Sequence, residues 1–184
     1  MVNKTEDDKN LNKILIASFN QDGSCFSIGT ESGFKIYSTN PFRENFDREL
    51  EGGIGICEML YKSNIHALVG GGKTPKYPHY KVILWDDSQS KVVSEFRFTS
   101  YVRNAKLKKD RFIIICDQKI YVFNLLNLQN IDTIDTFDNN KGLIAFLMIL
   151  RIMYLLILIR AKELLWLSIM IKIQPQLFML MNLQ

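Results

Sequence analysis

The residues with chemical potential are few and scattered. Gly70-Gly71-Gly72-Lys73-Thr74 ends like a phosphate-cradling loop, in which glycine N–H groups and a lysine meet nucleotide phosphates. The rest of that pattern fails. Position 67, where it requires glycine, is Ala67, and Pro75 and Pro78 stand where a helix should begin. A loop between strands accounts for the run better than a nucleotide hydrolase does. His66 and His79 lack a third metal ligand, and His66 reads as a satisfied structural residue within a strand. Cys25, Cys57 and Cys116 are far apart and odd in number, so they form neither a zinc spacing nor a disulfide framework and suit a reducing compartment. Asp86-Asp87 and Asp110 read as turn caps. Lys106, Lys108, Lys109 and Arg111 form a basic turn that a solvated hairpin accounts for without a partner. Asn20 and Asp22 flank a tight turn, where short polar side chains either project towards a partner or bond their own backbone. No nucleophile–base pairing is indicated. The expectation is a protein that is not an enzyme, with no cofactor and no metal.

The elements that position these residues follow a strand rhythm. Lys13–Phe19 leads through the turn Asn20–Gly23 to Cys25–Gly29, then Phe34–Tyr37 and the polar Glu44–Leu50. The pattern restarts with Ile56–Tyr61, Ile65–Val69, Val82–Trp85 and Val92–Phe98. It restarts again with Val102–Leu107, Phe112–Cys116, Ile120–Phe123 and Ile131–Phe137, and Gly142–Phe146 opens a fourth round. Four strands in roughly 40–45 residues is the period of a β-propeller blade. The aspartate-ended run Val82-Ile-Leu-Trp85-Asp86-Asp87 supports WD-type blades. The predicted fold class is all-β, a partial propeller of three four-stranded blades plus one strand. A small β-sandwich with a helical tail is the alternative.

Composition divides the chain in two. Of its 184 residues, 23 are basic and 19 acidic, a net charge of +4 that is too dispersed for a nucleic-acid footprint. The polar N-terminus carries no signal peptide pattern. All ten glycines lie at or before Gly142, whereas 27 of the 38 residues from Leu147 to Gln184 are apolar. The expected organisation is a disordered 1–12, blades over 13–146 and a separate apolar tail over 147–184 that would form a helix. Taken literally, Gly142–Ile159 approaches the length of a transmembrane helix, with Arg151 in its middle and Arg160 and Lys162 beyond it. Leu164–Ile173 is too short to span. A short membrane-anchored β-protein is the second functional reading.

Several segments together resemble the PROPPIN family, the WIPI-like, phosphoinositide-binding β-propellers of autophagy. They are Phe19-Asn-Gln-Asp22, Thr30-Glu-Ser-Gly-Phe-Lys-Ile-Tyr37, Val69-Gly-Gly-Gly-Lys-Thr-Pro-Lys-Tyr-Pro78, Lys81-Val-Ile-Leu-Trp-Asp-Asp87, Asp110–Cys116 with Lys119-Ile-Tyr-Val-Phe123, and Asn139-Asn-Lys-Gly142. The resemblance implies a stretch of a seven-bladed ring. It implies a scaffold that reads phosphatidylinositol 3-phosphate and the 3,5-bisphosphate, cytoplasmic and peripheral on phagophore and endosomal membranes. The family's lipid pockets centre on a Phe/Leu-Arg-Arg-Gly motif. Here Arg43, Arg48, Arg97, Arg103, Arg111, Arg151 and Arg160 are never adjacent, so no lipid-binding residue carries over. Partner recruitment does: Asn20 and Asp22 match the first-blade turn through which the family engages an autophagy lipid-transfer protein, and other autophagy factors dock on the early blades. No nucleic-acid partner is implied.

The resemblance also offers an account of the tail. Reading the codons one base out of register, the base fixed by each methionine codon forces Asp at position 149, Val at 154, Asp at 171 and Glu at 182. All four suit the family's fourth blade, so a frame slip near residue 146 is expected.

Overall fold

A computed structural model of the chain describes residues 13–149 and 152–156. The expected disorder of residues 1–12 lies outside the described residues. So does the expectation for the tail at 150–151 and 157–184. Two compact units divide at Gly142 and Leu143.

The first unit holds three antiparallel four-stranded sheets, each a meander in sequence order. The first joins β1 (Ile14–Phe19), β2 (Cys25–Thr30), β3 (Gly33–Thr39) and β4 (Phe42–Glu49). The second joins β5 (Ile54–Met59), β6 (Ile65–Gly70), β7 (Lys81–Asp86) and β8 (Lys91–Arg97). The third joins β9 (Val102–Leu107), β10 (Arg111–Cys116), β11 (Lys119–Asn124) and β12 (Asn130–Asp135). Every predicted strand of the three rounds is present, with ends shifted by up to a few residues. The sheets also repeat a detail the sequence did not announce: a β-bulge interrupts the pairing of third and fourth strands in each, at Ile36/Tyr37, Leu84/Trp85 and Val122/Phe123. Bulges increase local twist, as a blade requires.

Alternation along the middle sheet explains its place between the others. Leu68, Ile83 and Trp85 face one way and pack with Phe34 and Ile36 of the first sheet. Ala67, Val69, Val82 and Leu84 face the other way and pack with Ala105, Leu107, Phe112 and Ile114 of the third. Both faces are apolar, so a central strand such as β6 reads as a nearly continuous hydrophobic run. The fourth strands are largely exposed and polar, FRENFDRE in β4 and NIDTID in β12. On the face of the first sheet turned away from the second, Phe19, Phe26, Tyr37 and Phe42 form a row of contacting rings. Phe19 and Phe42 are 67% and 71% exposed.

The second unit contains a hairpin of β13 (Ala145–Ile149) and β14 (Ile152–Leu156), paired from Ala145↔Leu156 to Ile149↔Ile152. This corrects the expected helix over the start of the tail. Two five-residue runs of almost wholly apolar residues, AFLMI and IMYLL, are long enough for strands, and no polar face favours an amphipathic helix. The fourth-round strand is thus Ala145–Ile149 rather than Gly142–Phe146. No helix among the described residues is long and apolar enough to cross a membrane.

Candidate functional site

The turns that follow the first strand of each sheet come together at one end of the unit. Asn20 and Asp22 both lie in the first of them, yet they behave differently. Asn20 is buried. Its Oδ1 accepts from Cys25 N at 3.2 Å, and its Nδ2 donates to Ser24 Oγ at 3.1 Å and to the carbonyl of Tyr61, in the second sheet's turn, at 3.2 Å. Asp22 is exposed and caps the turn, accepting from Ser24 N at 3.0 Å and Ser24 Oγ at 2.5 Å. Those two hydrogen bonds hold its carboxyl below the ordinary aspartate range, with Lys62 adding a smaller pull. Asp22 therefore presents a fixed negative charge, and Asn20 supports the turn that carries it.

A residue that sequence reasoning passed over makes the longest-range contacts. Gln21 Nε2 donates to Met59 O at 2.6 Å and to Leu107 O at 2.8 Å, and Gln21 Oε1 accepts from Tyr61 N at 2.5 Å. Nothing in the sequence marks it, because its partners are backbone groups many residues away.

Beside this rim, a cavity of about 560 Å³ opens between the first two sheets. Buried Cys25, Ile36 and Met59 line it together with exposed Arg43, Lys62 and Asn64. Glu44 also lies on its edge, so an apolar floor with a mixed-charge rim suits a peptide segment bearing an apolar anchor and flanking polar or charged groups of both signs.

Polar joints hold the sheets that frame the cavity. Arg48 of β4 grips Asp87, after β7, with two hydrogen bonds of 2.8 and 2.9 Å, so Asp87 bridges sheets as well as ending a strand. Asp86 caps its turn as expected, accepting from Ser88 N and Oγ. Lys106 is not simply part of a solvated hairpin. It pairs at 2.7 Å with Glu58 of β5, which is 7% exposed and whose pKa burial pushes up despite the lysine. Ser27 Oγ donates to Cys57 O across the first joint at 2.5 Å.

The remaining sequence candidates resolve structurally. Lys73 N donates to the buried Glu31 carboxylate at 2.9 Å, while Gly71 N and Lys76 N both donate to Gly53 O. The glycine loop thus spends its N–H groups on its own fold, and strand β7 follows it. Burial pushes the Cys57 and Cys116 thiols up to about 12 and about 11, which leaves them protonated and poorly nucleophilic. His66 is not satisfied. It is fully buried against Phe34 and Phe46, and neither ring nitrogen has a hydrogen-bond partner among the described residues.

Three consecutive four-stranded meanders, packed face to face, define the described part of the first unit as blades of a WD-type β-propeller. Over part of its length the chain is similar to PROPPIN β-propellers. The chain is 38% identical over 120 residues to SVP1-like protein 2 of Saccharomyces cerevisiae, covering 60% of this chain and 27% of that protein. It is 40% identical over 116 residues to the SVP1-like protein 2 of Debaryomyces hansenii. Crystalline Hsv2 of Kluyveromyces marxianus superposes with a TM-score of 0.61 at 27% identity, covering 68% of this chain and 40% of that one. A structure of KlAtg21 in complex with the coiled-coil of AgAtg16 shares the fold, with a TM-score of 0.58 at 22% identity. No family model matches the chain. It spans about a quarter of the length of the two curated relatives, 27% of each.

Proposed function

We infer that this chain carries the partner-docking early blades of a phosphoinositide-dependent autophagy scaffold, a protein that works by recruitment rather than catalysis. The observation that carries this reading is the composite rim: exposed Asp22 held on the turn of Asn20 and Gln21, Tyr61 and Lys62 beside it, and the cavity edged by Arg43 and Lys62. The similarity to the SVP1-like proteins supports it, and so does the coiled-coil partner of KlAtg21. An autophagy factor, a lipid-transfer protein or a coiled coil that sets a cationic side chain against Asp22 and a carboxylate against Arg43 or Lys62, is the partner this chemistry suits. Peripheral association with phagophore or endosomal membranes would then come from lipid pockets in blades outside this chain, since no Arg-Arg-Gly occurs here. The exposed aromatic row on the first blade supports a longer ring, in which another blade covers it. The abrupt change of composition after Phe146 supports the frame-slip account of the tail, which the transcript sequence across the codons for Ala145–Arg151 decides.

The test is titration of the Atg16 coiled coil into the 184-residue chain. Asp22→Lys reverses a fixed acidic charge on the rim and is expected to weaken binding at least about tenfold per folded molecule, beyond the small fall in Tm from losing the turn cap. Equal affinity for both forms would remove Asp22 from the docking site.

A further inference from the structure

Tyr61 lies in the left-handed region at φ 48, a conformation that side-chain-bearing residues adopt only when their surroundings hold them there. Its surroundings belong to another blade. The first blade's turn grips both sides of this residue: Gln21 Oε1 accepts from its N–H and Asn20 Nδ2 donates to its carbonyl. The other end of the same glutamine amide spends its two hydrogens on Met59 O and Leu107 O. Those are the last residues of β5 and β9, the positions that Phe19 occupies in β1. One side chain thus ties the same point of three successive blades together. Both N–H groups and the oxygen of the amide are engaged, and each partner is backbone, so the contact fixes turn geometry whatever side chains the turns carry.

We propose that Gln21 is a positioning residue that locks the first-strand turns of three adjacent blades into a single rigid rim. It touches no partner itself. It sets the spacing of Asp22, Tyr61–Lys62 and the Lys108–Lys109 turn, so that one elongated partner meets all three at once. The inference rests on the docking role of the rim proposed above.

Two readouts on the 184-residue chain test it. The first is amide hydrogen exchange in Gln21→Ala and in Gln21→Met, which keeps the volume and removes the hydrogen bonds. Both are expected to speed exchange at Tyr61 and across residues 60–64 and 108–110 by tenfold or more, while β6 and β10 keep their protection. The second is affinity for the Atg16 coiled coil, expected to fall tenfold or more in both variants with Asp22 intact. Should Gln21→Ala fail to fold, Gln21→Met alone decides. Unchanged exchange at the two turns overturns the proposal. So does a lower Tm with unchanged affinity per folded molecule, which would make Gln21 merely structural. If the wild-type chain ignores the probe, the docking reading fails, and the exchange comparison still decides whether Gln21 couples the turns.

Discussion

Replacing Gly29 by alanine is expected to cost about 3 kcal/mol or more, on the order of a hundredfold in the folding equilibrium. Gly29 is buried in β2, paired with Ile16 on one side and Phe34 on the other. A methyl group there would run into the Ile54 carbonyl oxygen at the start of the second blade, and into Ile16 Cγ2 behind it. The obstacle is backbone, fixed by its own sheet, so a change of rotamer cannot relieve it. The two blades must part, and they share the core of Phe34, Ile36, Leu68, Ile83 and Trp85. The contrast is Gly23→Ala. Gly23 has open space around it and pays only for its φ of 70, on the order of 1 kcal/mol. Urea midpoints followed by circular dichroism separate the two. A Gly29→Ala midpoint close to that of Gly23→Ala would mean the first joint is looser than described.

The second large effect is an acid sensitivity seated at His66. Burial lowers its pKa from 6.5 to about 4, while Asp87 and Asp86 pull weakly the other way and Arg48 adds to the lowering. The folded protein therefore holds the neutral ring, and the unfolded chain takes up a proton near pH 6.5. Stability is fully present above pH 6.5, falls as pH drops towards 4, and levels off below that. The shift amounts to about 3 kcal/mol. His66→Leu removes both the titration and the two unpartnered nitrogens. It is expected to match or exceed wild type at pH 7. Its advantage should then widen by about 3 kcal/mol between pH 6.5 and 4. Stability curves for the two proteins that run parallel over that range would contradict the account.

Legibility in the sequence followed the range of the forces involved. Strands and turns depend on neighbours in the chain, and short β-rich runs such as Ile65–Val69 and Val82–Trp85 between turn residues marked the strands, while their burial on both faces emerged only from the packing. The three-round rhythm followed from the same local signals. What escaped was everything decided between blades. Asn20 and Asp22 looked alike as short polar turn residues, and only the neighbouring Tyr61 makes one internal and leaves the other exposed. Gln21 lay inside the matching Phe19–Asp22 segment, but nothing there marked it as the residue that joins blades. His66 was expected to be satisfied, because buried imidazoles usually are. The aromatic environment supplied by Phe34 and Phe46 lies more than a strand away in sequence. The glycine run was legible as a loop, but its reason was not: Gly70 and Gly71 let their backbones approach Tyr77 and Gly55 too closely for any Cβ. The hairpin of β13 and β14 was missed because an unbroken apolar run has no period from which to choose between helix and strand.

We propose a division of labour, with partner docking on these blades and lipid recognition on others. Liposome flotation tests it most directly. The 184-residue chain is mixed with liposomes carrying phosphatidylinositol 3-phosphate, and separately with neutral liposomes that display the Atg16 coiled coil. The chain is expected to float with the coiled-coil liposomes and to stay behind with phosphatidylinositol 3-phosphate alone. Selective flotation with phosphatidylinositol 3-phosphate, or none with the displayed coiled coil, would contradict it.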